Sequence, residues 1–287
     1  MCTAINQTQG YHLFGRTLDI HASYGEQVVL TPRNYPLPYA HLPTPDHALA
    51  MLGVAHVAHD FPLYYDAVNE AGLGMAALRF QDHAVYHTPK EGKQNLASFE
   101  LMPYLLSQCQ TMEDALQHLT HINITNHAFS SALPTTPLHW MLSDAHTSVV
   151  VESTQEGLQV YPNPTHVLTN APPFPVQMAG HYTRHLTFEM TSESRFDRGV
   201  FINTHTLPET QPDQAVERFF HVMATVALPK GCHRTPDGHP HYTVYTACGD
   251  PKTMTYHTTT YQDSAIRHHI ATPEMCQGHR LFYFDLT

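Results

Sequence analysis

Met1-Cys2-Thr3-Ala4-Ile5, followed at short distance by Leu13-Phe14-Gly15-Arg16-Thr17-Leu18-Asp19, is the stretch whose reading decides the fold. Removal of the initiator methionine places a thiol and a free α-amine on one residue. An N-terminal amine titrates at about 7.7 to 8.0 and a free thiol at about 8.5, so near neutral pH the amine is a competent base for its own side chain. A thiol activated in this way is a self-contained nucleophile. A cysteine in second position also suits a small residue of a first strand, and the two positions taken alone leave both readings open.

Composition bounds the answer without deciding it. The 287 residues are 42% hydrophobic, enough to bury a sizeable core, and predict one domain over 1–287. Lys and Arg number 14 against 25 Asp and Glu, and the formal charge of -11 opposes binding to nucleic-acid phosphates or anionic membrane surfaces. No apolar run approaches the roughly 18 residues of a membrane helix. The polar start Cys2-Thr3-Ala4-Ile5-Asn6-Gln7-Thr8 has neither the basic nor the apolar part of a signal peptide, so the chain is expected in the cytoplasm. Cys2, Cys109, Cys232, Cys248 and Cys276 are odd in number, scattered and without a Cys-x-x-Cys, which argues against a disulfide framework or a thiolate zinc site. The 25 histidines include the pairs His56/His59 and His118/His121 and the run His233, His239, His241. None has a third-ligand signature such as His-Glu-x-x-His, so they are read as solvated imidazoles, and no metal or cofactor is expected.

Hydrophobic periodicity alternates strand groups with helical pairs. Tyr11 to Arg16 and Gln27 to Thr31 read as strands, and Pro32 to Pro45 as an irregular loop. Ser98 is placed to cap a helix carrying Phe99, Met102, Leu105, Leu106 and Cys109, with Pro103 in its first turns. Thr111-Met112-Glu113-Asp114 has capping-box form and leads a stripe of Leu116, Leu119 and Ile122. His139 to Ser143, Val149 to Glu152, Leu158 to Tyr161 and Val167 to Thr169 predict an antiparallel meander. Asp213 opens a helix with Val216, Phe219, Phe220, Met223, Val226 and Ala227 on one face, ended by Pro229-Lys230-Gly231. Tyr242 to Ala247, Met254 to Thr260 and Leu281 to Phe284 supply closing strands, and Gly72-Leu73-Gly74 reads as a tight turn.

The two opening blocks, together with Pro62-Leu63-Tyr64-Tyr65-Asp66-Ala67-Val68-Asn69-Glu70-Ala71-Gly72-Leu73-Gly74-Met75-Ala76, resemble the choloylglycine hydrolase family of conjugated bile acid hydrolases and penicillin V acylases. The likeness continues in family order through Leu138 to Asp144, Leu168-Thr169-Asn170-Ala171-Pro172, Glu193-Ser194-Arg195-Phe196 and Tyr242-Thr243-Val244-Tyr245, and so spans nearly the whole chain. It implies an α+β fold, the four-layer αββα sandwich of N-terminal nucleophile hydrolases, active once Met1 is removed. It also implies a catalytic set in which Cys2 is the nucleophile and Arg16 and Arg195 favour its thiolate. Asp19 orients the terminal amine, and Asn170 donates to the oxyanion. The residues allow plainer readings: Arg16 and Asp19 as a structural ion pair, Asn170 as a turn residue and Arg195 as an exposed helix residue. Residues three apart on a strand project to opposite faces, so Arg16 and Asp19 are expected to converge on Cys2 only if the chain bends between them.

Two departures from the family pattern stand out. Where bile salt hydrolases usually carry asparagine and penicillin V acylases tyrosine, this chain has Arg79. The oxyanion donor there is the main-chain amide, which arginine also supplies; the guanidinium is free either to meet an anionic leaving group or to pair with an acid such as Asp82. Only 25 positions separate Asn170 from Arg195, fewer than in typical members of the family, where the extra stretch includes a subunit-assembly extension, so a homo-oligomer weaker than the family tetramer is expected. The activity implied is hydrolysis of the amide bond of glycine- or taurine-conjugated bile salts through a cysteine thioester; the Tyr24-Gly25-Glu26 and Asp60 to Tyr65 stretches resemble the bile-acid-hydrolysing members of intestinal bacteria. Penicillin V or N-acyl homoserine lactone hydrolysis are alternatives, as is an inactive acyl-ligand binding protein.

Overall fold

Strand Cys2–Gln7 has neighbours on both edges. Leu13–Ile20 pairs with it in unbroken antiparallel register from Cys2↔Leu18 to Gln7↔Leu13, and Val167–Leu168 covers its other edge. The computed structural model describes residues 1–45, 47–234 and 238–286. Among the described residues the first large sheet continues from Leu13–Ile20 through Pro240–Asp250, Thr255–Thr260 and Arg267–Ile270, with the short His233–Arg234 strand paired to Pro240–Asp250. The second runs in the order Gly157–Pro162, Ser148–Thr154, Leu138–Ser143, Gly74–Arg79, Phe61–Asn69, Met51–Ala58, Gln27–Thr31 and Phe282–Phe284.

The two sheets pack face to face. The Phe14 ring fills the space over Gly74, where an added Cβ would come within 2.6 Å of it, so close approach requires glycine there. Helices Ser192–His205 and Pro212–Ala224 cover the outer face of the first sheet, and Leu101–Gln108 and Met112–His121 that of the second. The result is the expected αββα sandwich. Every residue of Cys2–Gln7 is buried, because its inward side chains meet the second sheet and its outward ones the Ser192–His205 helix. A strand covered on both faces loses the polar alternation that marks a half-exposed one.

Several sequence readings hold and several need correction. Thr111 and Asp114 form a reciprocal capping box, with Thr111 Oγ1 accepting from Asp114 N at 3.1 Å. Ser98 caps nothing; the next helix starts after Glu100, whose carboxylate accepts instead from the Ala97 and Ala40 amides. Leu116 is 37% exposed, since the buried face of its helix runs Met112, Ala115, Leu119. Gly72, at φ 111°, makes the expected turn, which Asn69 Oδ1 fastens by accepting from the Ala71 and Leu73 amides. The meander comprises Leu138–Ser143, Ser148–Thr154 and Gly157–Pro162, but Val167–Leu168 leaves it to join Cys2–Gln7 in the other sheet. That crossover carries the following Asn170 to the Cys2–Gln7 strand.

Burial holds His12, His241, His257 and His269 near pKa 4. An unfolded histidine binds its proton near 6.5, so the stability these groups contribute is complete above that pH and is lost as pH falls through about 4. The urea midpoint is therefore expected to drop between pH 6.5 and 4, and His12→Gln, which keeps a partner for Asn6, to make the drop smaller.

Candidate active site

Cys2 starts its strand at 4% exposure, with its side chain on the same face as its cross-strand neighbour Leu18 and as Arg16. Its backbone is clamped from two directions. Cys2 N donates to Asn170 Oδ1 at 2.6 Å, and Cys2 O accepts from Arg195 Nη1 at 2.6 Å. Arg195, in the first turn of the Ser192–His205 helix, also donates to Thr3 Oγ1 at 2.6 Å and to Asn170 Oδ1 at 3.1 Å. It is fully buried rather than exposed. Burial lowers its pKa, opposed by the negative ends of Asp19 and Cys2.

Asp19 lies on the outer face with Arg195 Nη1 3.8 Å from Oδ2. Its carboxylate accepts from Thr243 Oγ1 at 2.7 Å and from Thr17 Oγ1 at 3.3 Å, and Thr17 Oγ1 in turn accepts from Thr3 N at 3.2 Å. The Met1 amine donates to Asp19 O, and Asp19 N returns a bond to Met1 O at 2.9 Å. Burial lowers the pKa of this amine; Arg195 and Arg16 act in the same direction against Cys2 and Asp19. The low-polarity setting that weakens one ammonium at this place favours a neutral amine, the form a base requires.

Arg16 points the other way, into the space between the sheets. Its Nε donates to Thr17 O at 3.1 Å, and Nη1 donates to Tyr65 O at 3.0 Å and Ala77 O at 2.5 Å. The second sheet leaves those carbonyls open. Pairing of Phe61–Asn69 with Gly74–Arg79 stops at Asp66↔Ala76, and a register shift opposite Val54/Ala55 bulges Tyr65. Nη2 is buried with no partner among the described residues. Burial works against the Arg16 charge, yet Cys2, Tyr245, Asp66 and Asp19 outweigh it and raise its pKa. Arg16 and Asp19 are thus not an ion pair with each other, and no bend joins them: they take opposite faces, and Cys2 at the strand's end sees both. The bulge lies in the neighbouring strand, between Thr243 and Tyr245.

Asn170 Nδ2 donates to Arg79 O at 2.8 Å, leaving its second hydrogen for another acceptor. Phe80 N bonds Pro137 O, so ladder alternation turns the Arg79 amide and carbonyl away from Leu138 and toward Asn170. The exposed Arg79 guanidinium donates to Gln81 Oε1 at 2.7 and 3.0 Å, not to Asp82. Sequence reasoning gave no role to Thr3, Thr17 and Thr243, or to Asp66, whose carboxyl receives the Tyr245 hydroxyl at 2.5 Å and that of Tyr256; burial lifts its pKa to about 6. Thr243 and Tyr245 occur in one quoted motif, but strand alternation assigns them one face, and only the bulge sends them to opposite ones.

Residues 2–188 and 183–276 match the linear amide C–N hydrolases of the choloylglycine hydrolase family. The chain belongs to this family. Its relatives include the bile salt hydrolase/transferase of Lactiplantibacillus plantarum, 35% identical over 93% of this chain and 91% of that protein. The conjugated bile acid hydrolase of Lactobacillus gasseri is 33% identical over 99% of this chain and 100% of its own length. A mutant of the Clostridium perfringens conjugated bile acid hydrolase superposes with a TM-score of 0.91 at 28% identity, covering 100% of this chain and 97% of its own. Penicillin V acylase from Agrobacterium tumefaciens, at 21% identity and TM-score 0.80 over 100% of this chain and 92% of its own, shares the fold. As a choloylglycine hydrolase family member the chain is an amide C–N hydrolase of the N-terminal nucleophile type.

Thr243→Val removes the donor to Asp19 and the acceptor of the Leu228 amide, at 2.7 and 2.8 Å. Leaving those groups unsatisfied is expected to destabilise the fold by about 1–3 kcal/mol, read as a lowered thermal midpoint, whereas Thr243→Ser, which keeps the hydroxyl, is expected to avoid most of that loss.

Proposed function

We propose that the protein hydrolyses the amide bond of glycine- or taurine-conjugated bile salts, with Cys2 as nucleophile after removal of Met1. The observation that carries the reading is the convergence on Cys2 of Asn170, Arg195 and the pair Arg16 and Asp19 from three different segments. The substrate class rests on relatives of 30–35% identity that carry the names bile salt hydrolase or conjugated bile acid hydrolase.

In this mechanism the Cys2 α-amine takes the thiol proton, and the sulfur forms a bond to the amide carbon while the carbonyl electrons move to oxygen. The oxyanion is met by the spare Asn170 Nδ2 hydrogen and the Arg79 main-chain amide. Collapse breaks the C–N bond, and the ammonium of Cys2 gives its proton to the departing amine. Water then attacks the thioester, its proton passing to the same amine, and the acid leaves as the thiol is restored. Arg16, whose Nη2 has no partner among the described residues, stabilises negative charge from within the sandwich. Arg195 does so from the helix side while fixing the Cys2 and Asn170 positions. Asp19 holds the amine. The reading includes action in the cytoplasm, in keeping with five unpaired cysteines, and self-association weaker than a tetramer. No helix among the described residues is long and apolar enough to cross a membrane.

Cys2→Ala is expected to abolish release of glycine or taurine from bile salt conjugates while leaving the circular dichroism spectrum intact. Wild-type rates in that variant overturn the mechanism, and turnover of penicillin V or acyl homoserine lactones in place of bile salts overturns the substrate. Asn170→Ala removes one oxyanion donor and is expected to lower kcat by about 10²–10³-fold.

A further inference from the structure

Four imidazoles drawn from sequence positions as far apart as 21 and 241 stand together beside the nucleophile. His21 follows the Leu13–Ile20 strand, His233 lies on His233–Arg234, and His239 and His241 lie just before Pro240–Asp250 and at its start. The His21 ring centroid is 6.0 Å from that of His239 and 6.3 Å from that of His241, and His233 is 5.7 Å from His241. His241 Nδ1 is 3.4 Å from the Met1 amine. No grouping of these residues has metal-ligating geometry among the described residues.

The place these rings surround follows from the chemistry at Cys2. The leaving nitrogen must take its proton from the Cys2 α-amine, so whatever that nitrogen carries lies on the side of Cys2 N where Met1 now lies. The Met1 amine sits one residue, about 3.8 Å of chain, beyond Cys2. The carboxylate of a released glycine or the sulfonate of a released taurine lies a similar distance beyond its own nitrogen. We propose that His21, His233, His239 and His241, with the Arg79 guanidinium, form the subsite for the anionic end of the amine that the reaction releases, and that the subsite takes up a proton as the anion binds.

The surrounding charges favour an anion. The groups acting on His241 are the N-terminal amine, His233, His21 and Arg79, all of which disfavour a further positive charge. His233 faces the amine and Arg195, with Asp19 as the acid on its side, and that carboxylate is already engaged by Thr243 and Thr17. Without an anion, burial, followed by these groups, holds His241 near 4 and lowers His233. An arriving carboxylate or sulfonate supplies the missing counter-charge, makes the imidazolium form favourable and accepts charge-assisted hydrogen bonds from it. By linkage, the anion binds more tightly as pH falls. His21 and His239 are exposed and His233 and His241 half-buried, so the rings are reachable from solvent.

This inference rests on amide hydrolysis at Cys2, and two measurements on the processed full-length protein separate it from that reading. The first compares kcat/KM for cholylglycine with that for its neutral counterpart, cholylglycinamide, from pH 7.5 to 5.5. The ratio is expected to favour the anion increasingly toward low pH, and His21→Asn/His241→Asn and Arg79→Asn each to reduce it by about tenfold. An unaltered ratio and pH trend in the variants overturns the subsite. The second is calorimetric titration with taurine at pH 6 in buffers of differing ionisation enthalpy, where net proton uptake is expected and its absence in the wild type overturns the proposal. If the wild type cleaves neither conjugate, the substrate reading falls, and taurine binding with proton uptake decides the subsite by itself.

Discussion

The guanidinium of Arg195 is the contact on which the site depends. It has no access to solvent, yet it reaches the Cys2 carbonyl, the Thr3 hydroxyl, Asn170 Oδ1 and the neighbourhood of Asp19. Withdrawing such a charge from water is expensive unless every donor finds a partner, and removal of one member of a buried ionic set typically destabilises by ~3–5 kcal/mol. Arg195 therefore joins three separate pieces of chain: the first strand, the segment after Val167–Leu168, and the helix on which it rides. Its Nε lacks a partner among the described residues, which marks this as a place where stability is given up to hold geometry.

Arg16 does the complementary work on the inner side. Antiparallel sheets consume main-chain carbonyls in pairs, and a guanidinium between two sheets normally finds none to spare. Here the bulge at Tyr65 and the early parting of Phe61–Asn69 from Gly74–Arg79 free the Tyr65 and Ala77 carbonyls for Nη1. The same irregularity leaves Asp66 buried between Tyr245 and Tyr256, a carboxyl whose pKa is lifted to about 6 by desolvation. Positive charge is thus supplied to Cys2 from both faces of its strand, with the inner source set by a defect in the opposite sheet.

The opening of the site has a different character. Its nearest charged groups are cations and imidazoles, while the chain as a whole carries a formal charge of -11. A local field opposite to the net charge focuses anions where the surface in general repels them. His233 and His241, whose charged forms burial disfavours, repel the N-terminal amine less than lysines in their place would.

Much of this was legible in the sequence. The Cys2, Arg16, Asp19, Asn170 and Arg195 positions were marked by motifs in family order, and Gln27–Thr31, the Thr111 capping box and the Asp213 helix follow from periodicity and end signals, which are local properties of a chain. Strands Met51–Ala58, Phe61–Asn69 and Gly74–Arg79 were not delimited because both of their faces are covered. By itself, then, the sequence marked the residues proposed to carry the chemistry and many of the helical and extended segments. Tertiary structure alone decided that Val167–Leu168 joins the Cys2–Gln7 strand, that Thr243 and Tyr245 face apart across a bulge, and that His21 meets His239 and His241, the latter in turn meeting His233. Those are encounters between segments far apart in the chain, fixed by sheet register and by bulges, to which no local pattern of residues is sensitive.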